Sequence, residues 1–300
     1  MAMYNHPNDY IPETMTEIIQ IPTPKDFSYG ATINSHGWLR LAPFSYEDGT
    51  AILTRVHRLD SGQPVLLHIC DGLEVKVEGA KRLTDPQREQ IVRDVRVMFS
   101  LDWDLSKFYK AIRKRSQYAW VEKEKAGRML VTPTVWEDLA KTLMTTNTTW
   151  SQTKNMVTRL CSLGTQYAPD LYAFPTPQQI AQLSAETLSE KIRAGYRAAY
   201  LHELAKRISS GELNPEAWRD LPSVDLYKTI KGLLGFGDYA AGTMLRLLGH
   251  FDRLAIDTEC RAAYKRINKS ETATDAEIRA YYEGFGDWRG LVMWMDVMHE

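Results

Sequence analysis

The sequence predicts an α+β fold: a small antiparallel β-rich N-terminal domain over residues 1–80, packed on a mostly α-helical body over residues 81–300. Three observations predict it. Residues 73–78, LEVKVE, alternate apolar and charged side chains with the period of a strand that buries one face. Beyond Gly79 the turn formers give way to repeated helix starts, each a cap-forming side chain followed by proline. Apolar residues then recur at helical spacing, as at Ile91, Val92, Val95, Met98 and Phe99.

In chain order, the runs WLRLAPF, AILTRVHRL and PVLLHIC read as strands ahead of LEVKVE, divided by the turn-forming YEDG and DSGQ. Connections this short imply an antiparallel meander. The helix starts fall at Asp85-Pro86, Thr132-Pro133, Thr176-Pro177 and Asn214-Pro215, where proline loses no hydrogen bond because the first helical N–H has no intrahelical acceptor. Nine or ten helices are expected, and no repeat of solenoid period emerges.

Composition narrows the function classes. Lys and Arg total 37 against 38 Asp and Glu, a formal charge of -1, so the chain as a whole is no polycation that coats nucleic acid or an anionic membrane. Any anion must meet a local site. Cys70, Cys161 and Cys260 lie far apart and form no close pair, so neither a disulfide framework nor an iron–sulfur cluster nor a zinc site is expected. A cytoplasmic location, nucleoid-associated in a bacterium, is the expectation. No export signal and no membrane span is read in the sequence.

The stretch from Ser223 to Lys265 carries the chemistry. Ser223 is read as the cap of one helix and Asp238 as the cap of a second, with Leu234-Gly235-Phe236-Gly237 between them and the pair spanning about residues 223–249. A Gly-x-Gly turn leaves the first N–H groups of the second helix free and lets backbone come close to a ligand. Such a terminus holds phosphate without adding net charge. Twenty residues past Gly237, the apolar Leu254-Ala255-Ile256 delivers Asp257 to the start of another helix.

This ordered pattern resembles the helix-hairpin-helix Gly/Pro-Asp (HhH-GPD) DNA glycosylases, nearest in scaffold to the branch of 8-oxoguanine DNA glycosylase and 3-methyladenine DNA glycosylase II. The resemblance covers nearly the whole chain. SHGWLRLAPFSYEDG is similar to the opening of their β-rich domain and WDLSKFY to the passage into the helices. The resemblance implies that Gly235, Phe236, Gly237 and Asp238 grip a DNA phosphate. In TPTVWEDLAKTLMTTNTTWSQTKNMV it implies that Asn147 fills the gap left by a flipped nucleotide, with Gln152 where an arginine helps read the orphan base. In AGYRAAYLHELAKRI it implies that Tyr196 wedges into the stack and Arg197 touches the orphan base. Asp257 would be the catalytic carboxylate beside the sugar, stabilising an oxocarbenium-like state as carboxylates do in glycosidases.

Several positions depart from that pattern. Where bifunctional members carry the lysine that forms a Schiff base, this chain has Tyr239, which implies a hydrolytic, monofunctional enzyme. Glu259 replaces a pocket histidine, Gly290 stands at the place of a purine-reading glutamine, and Trp294 keeps the aromatic that sandwiches the base. An aromatic-lined pocket puts alkylated purines slightly ahead of oxidised ones. The alternatives are a non-catalytic DNA-binding or lesion-sensing protein, and a bifunctional glycosylase/lyase using another amine such as Lys228 or Lys231.

The expected partner is double-stranded DNA containing a damaged base, bound by a monomer without a metal, apart from a monovalent cation on the hairpin carbonyls that the resemblance suggests. Residues 107–128 hold eight Lys/Arg against two Glu, a local +6, and read as a phosphate-tracking strip interleaved with Tyr109, Tyr118 and Trp120. Trp136, Trp218 and Trp288 are read as core or interface residues, His250 and His299 as free of metal, and Cys260 as a buried thiol.

Overall fold

The computed structural model describes residues 17–299. A five-stranded antiparallel sheet forms from β1 (Glu17–Gln20), β2 (Phe44–Tyr46), β3 (Leu53–Arg58), β4 (Pro64–Ile69) and β5 (Glu74–Glu78), in the order β1-β5-β4-β3-β2. The LEVKVE alternation is realised in β5, where Val75 and Val77 are buried and pair with Ile69 and Leu67 of β4. The meander expectation holds for β2 to β5. Strand β1 had no periodic signal, being four residues long with one buried side chain, and is set by its pairing with β5.

One strand assignment is corrected. In WLRLAPF, Gly37–Arg40 forms a 3-10 turn that buries both Trp38 and Leu39, and only Phe44–Tyr46 pairs in the sheet. Adjacent apolar side chains buried together do not obey a period of two.

The short α1 (Tyr29–Ile33) precedes β2, and thirteen helices follow the sheet: α2 (Asp85–Met98), α3 (Ser106–Ile112), α4 (Ala119–Lys123), α5 (Val135–Thr145), α6 (Trp150–Cys161), α7 (Pro177–Ala181), α8 (Ala185–Ile192), α9 (Tyr196–Ser209), α10 (Ser223–Lys231), α11 (Asp238–Leu247), α12 (Thr258–Asn268), α13 (Asp275–Glu283) and α14 (Arg289–Met298). Thirteen helices thus follow the sheet among the described residues where nine or ten were expected; three of them, α3, α4 and α7, are shorter than eight residues. A small hairpin, β6 (Gln166–Ala168) with β7 (Leu171–Tyr172), sits between α6 and α7. Thr176 caps α7 as read, with a reciprocal bond from Gln179. At the other proline sites the caps shift: Thr84 caps α2, Thr134 rather than Thr132 caps α5, and Asn214-Pro215 opens a 3-10 turn.

Two apolar cores divide the body. The larger joins the sheet to α2 and to α5 through α11. The smaller is built from α3, α4 and α12 to α14, through Phe108, Val121, Cys260, Ile278, Tyr282 and Val292. Residues 105–126 and 251–295 therefore form one lobe despite their distance in sequence. Trp103 and Trp294 pack against both cores and mark the seam. Arg128 ties this junction, paired with Asp26 at 2.9 Å and donating to the carbonyls of Ser100 (2.6 Å) and Trp103 (2.8 Å).

Candidate active site

The turn between α10 and α11 is built by its glycines. Gly235 has φ of +86°, and a Cβ there would come within 2.7 Å of Leu143 Cδ1 and 2.9 Å of Tyr200 Cδ2. Only glycine both adopts that conformation and lets the turn rest on α5 and α9. Phe236 is buried beneath it, and its N–H donates to the Leu233 carbonyl at 3.2 Å. Gly237 faces open space, so nothing in the protein covers the start of α11.

The reading of Asp238 and Ser223 as helix caps is corrected. Gly237 is the N-cap of α11 and offers no side chain. Asp238 is the first helical residue, and its carboxylate turns back to α10, where it accepts from Tyr227 Oη at 2.6 Å and pairs with Lys231. Pro222 precedes α10, and the Ser223 hydroxyl bonds Asp252 instead. The first N–H groups of α11 thus keep no side-chain acceptor among the described residues, which suits an anion.

Asp257 caps α12. Its Oδ1 accepts from the Cys260 N–H at 2.9 Å, a bond that fixes the carboxylate and leaves its second oxygen unused by the protein. Tyr239, half-buried at the start of α11, feels that carboxylate: burial and the Asp257 charge both raise the phenol, which stays protonated. The Asp257 charge therefore reaches the Tyr239 phenol across the seam. Glu259 lies exposed on the first turn of α12 and makes no side-chain hydrogen bond among the described residues. Cys260 is buried as expected, and burial pushes its thiol up to about 12.

Trp294, on α14, donates from Nε1 to the Ser35 carbonyl at 2.7 Å and carries the Arg246 guanidinium over its ring at 3.9 Å. One face of that ring is thus already occupied. Gly290 is a packing position: its N–H donates to the Phe251 carbonyl at 2.7 Å, and a Cβ would lie 2.2 Å from the Arg253 carbonyl oxygen.

A second group of residues converges between α5–α6 and α8–α9. Asn147 takes φ of +46° in the turn after α5, and its Nδ2 donates to Tyr196 Oη at 3.4 Å. Tyr196 opens α9 with 48% of its surface exposed, its ring edge against Tyr200. Arg197 is buried: its guanidinium donates to the carbonyls of Thr146 (3.0 Å) and Asn147 (2.9 Å), so it fixes the turn that carries Asn147. Gln152 Oε1 accepts from the Thr149 N–H at 3.2 Å as half of a capping box. A cavity of about 350 Å³ opens among these groups, lined also by Arg159 and Arg193. Those two arginines had no motif to announce them, since only the fold sets α6 beside the end of α8.

The basic strip is revised. Tyr109 and Tyr118 are core residues, donating to the Ala126 carbonyl (3.1 Å) and to Asp296 (3.0 Å), and Trp120 stacks on His299. No aromatic ladder interleaves the lysines. Trp136 and Trp218 are buried as expected, and Trp288 stacks on Phe251 at the seam. Another cavity, of about 840 Å³, lies elsewhere, between β3, α2 and α5, and none of these site residues lines it.

The sequence pattern of the HhH-GPD superfamily base excision DNA repair proteins matches residues 140–285, which span both helices of the hairpin and Asp257. The chain belongs to that superfamily. As an HhH-GPD DNA glycosylase, it shares its overall fold with solved relatives. The 3-methyladenine DNA glycosylase of Archaeoglobus fulgidus superposes with a TM-score of 0.73 at 17% identity, over 94% of this chain and 97% of that one. The 8-oxoguanine glycosylase/lyase of Clostridium acetobutylicum, free of DNA, gives 0.71 at 18% identity, over 94% and 96%. The same clostridial enzyme bound to duplex DNA with cytosine opposite 8-oxoguanine gives 0.70 at 17%, over 91% of each chain. Among curated proteins, none is similar enough to match the chain. No described helix is long and apolar enough to cross a membrane.

Proposed function

We propose that this glycosylase is monofunctional: it flips a damaged purine nucleotide out of duplex DNA and hydrolyses the bond between base and C1′. The observation that carries this reading is Tyr239 at the start of α11, a protonated phenol that feels the charge of the fixed Asp257 carboxylate. Positive charge builds on the sugar as the base leaves, and the unused Asp257 oxygen stabilises it and orients the attacking water. Water supplies the hydroxyl to C1′, and its proton goes by way of Asp257 to the departing base. A Schiff base would need a neutral amine, yet Asp238 raises the Lys231 ammonium above its ordinary value, the wrong direction for a nucleophile.

The approach to DNA follows from the same residues. The free N–H groups at Gly237 and Asp238 take a backbone phosphate. Tyr196 stacks where the nucleotide has left, a contact worth roughly 1–3 kcal/mol that offsets part of the cost of flipping. Asn147 and the arginine-lined cavity receive the orphan base. The carbonyls of Gly232, Leu234 and Gly235, which accept no hydrogen bond among the described residues, suit a monovalent cation that would brace the turn. Few phosphate contacts imply a shallow salt dependence of binding to undamaged DNA.

The test is base release from duplexes carrying 8-oxoguanine, hypoxanthine, 7-methylguanine or uracil, scored by alkaline cleavage, with Asp257→Asn as control. Asparagine caps a helix as well as aspartate does, so the fold survives, and release drops by roughly 10²-fold or more. Equal rates for the two proteins on every lesion defeat the proposal. Borohydride should trap no covalent adduct, and an adduct would restore the lyase.

A further inference from the structure

Five Lys or Arg side chains are buried among the described residues, and four have their charge met. Arg55 and Lys141 share Glu137, Arg128 has Asp26, and Arg197 has three backbone carbonyls. Arg246 is the exception. It is only 5% exposed, its Nε has no hydrogen-bond partner, and its guanidinium pairs with no carboxylate among the described residues. Arg55 and Arg128 also leave Nε unbonded, but their other guanidinium nitrogens are occupied. Arg246 lies on the α11 face that carries Tyr239 and Thr243, at i, i+4 and i+7. The Thr243 hydroxyl is buried without a partner too. Across from this face, Trp294 stacks the guanidinium at 3.9 Å, and the charge of Asp257 reaches it through space.

A guanidinium cannot shed its charge by deprotonating, and stacking on one indole satisfies none of its five N–H donors. Groups of this kind, left unmatched beside a reacting carboxylate, await an acceptor that arrives with the substrate. We propose that Arg246, with Thr243, reads the flipped base. A base seated against Arg246 is then a neutral or anionic purine bearing carbonyl acceptors, oxidised or deaminated, and cationic N-alkylated purines are rejected.

This inference rests on the glycosylase reading above and reverses the preference that an aromatic-lined pocket alone would imply. The electron-rich indole face that would attract a cationic base is already covered by a cation, so a second positive charge is repelled. Arg246 is thus a specificity determinant, whereas Asp257 remains the catalytic residue.

Binding separates the two claims, because it needs no turnover. Duplexes carrying 2′-fluoro, non-hydrolysable forms of hypoxanthine, 8-oxoguanine and 7-methylguanine would be titrated against the wild type, Arg246→Met and Arg246→Lys, with thermal melts alongside. The wild type is expected to prefer hypoxanthine or 8-oxoguanine over 7-methylguanine by about tenfold, and Arg246→Met to erase that ratio while melting as the wild type does. Arg246→Lys, keeping charge without the planar fork, should still reject 7-methylguanine but hold the other bases more weakly. A wild type that binds 7-methylguanine best, or an unchanged ratio in a folded Arg246→Met, overturns the inference. Absence of base release with the binding preference intact would instead overturn the catalytic reading alone.

Discussion

Two buried clusters of positive charge show opposite solutions to the same problem. Beneath the sheet, Arg55 of β3 meets Glu137 of α5 through two bonds of 2.9 and 2.6 Å. Lys141, one turn along α5, lies 2.8 Å from the same carboxylate, at an angle poor for a hydrogen bond, and both cations sit over the Phe44 ring. At the seam between α11 and α14, Arg246 has an aromatic face but no acceptor. Desolvating an ion costs several kcal/mol, and the first cluster recovers it within the fold. The second has one indole face and leaves Nε without a partner among the described residues. Burial of charge alone therefore does not mark a functional site.

Glu137→Gln should break the first cluster outright. It strands two buried cations, costing roughly 3–5 kcal/mol, and chemical denaturation should show the loss whatever DNA is present. Arg197→Met is expected to cost about 1–3 kcal/mol, because the Thr146 and Asn147 carbonyls lose their donor, and to weaken DNA binding through the Asn147 turn. Arg246→Met should change stability by less than about 1 kcal/mol in either direction, since a hydrophobe replaces an unpaired charge of similar length. A loss as large as that of Glu137→Gln would erase the distinction between the clusters.

Acid should sharpen it. Arg55 and Lys141 outweigh the cost of burial and hold Glu137 at about 2, below its ordinary value. A depressed carboxylate stabilises fully above its unfolded pKa, roughly 4.5, and that stability is lost as pH falls from there through about 2. Melting temperature against pH should fall in that window for the wild type. Arg246→Met should follow the same profile, because it holds no carboxylate, while Glu137→Gln should be flatter there.

Much of the candidate site could be read from contiguous residues. Gly235 and Gly237 announce a turn with a free helix terminus, and an apolar run ending in Asp257 announces a capped helix. Those signals rest on φ preferences and capping, which act within a few residues. The same local logic failed at Asp238, where a cap-forming residue was drawn to Lys231 and Tyr227 on the preceding helix. It failed also at Tyr109 and Tyr118, whose phenols read as a DNA-facing ladder but found acceptors in the smaller core. Arg159 and Arg193 escaped notice because they share a cavity only once α6 and α8 are packed.

By itself the sequence determined the β-then-helical order, the hairpin, the start of α12 at Asp257 and the phenol, not an amine, at position 239. Each follows from side-chain chemistry and periodicity along the chain. Tertiary structure alone decided which buried charges are matched. Arg55 lies 82 residues from Glu137, and the Trp294 indole is anchored by Ser35 from 259 residues away. No local pattern encodes such pairs, because the free energy of a buried charge depends on what folding brings within a few ångströms of it.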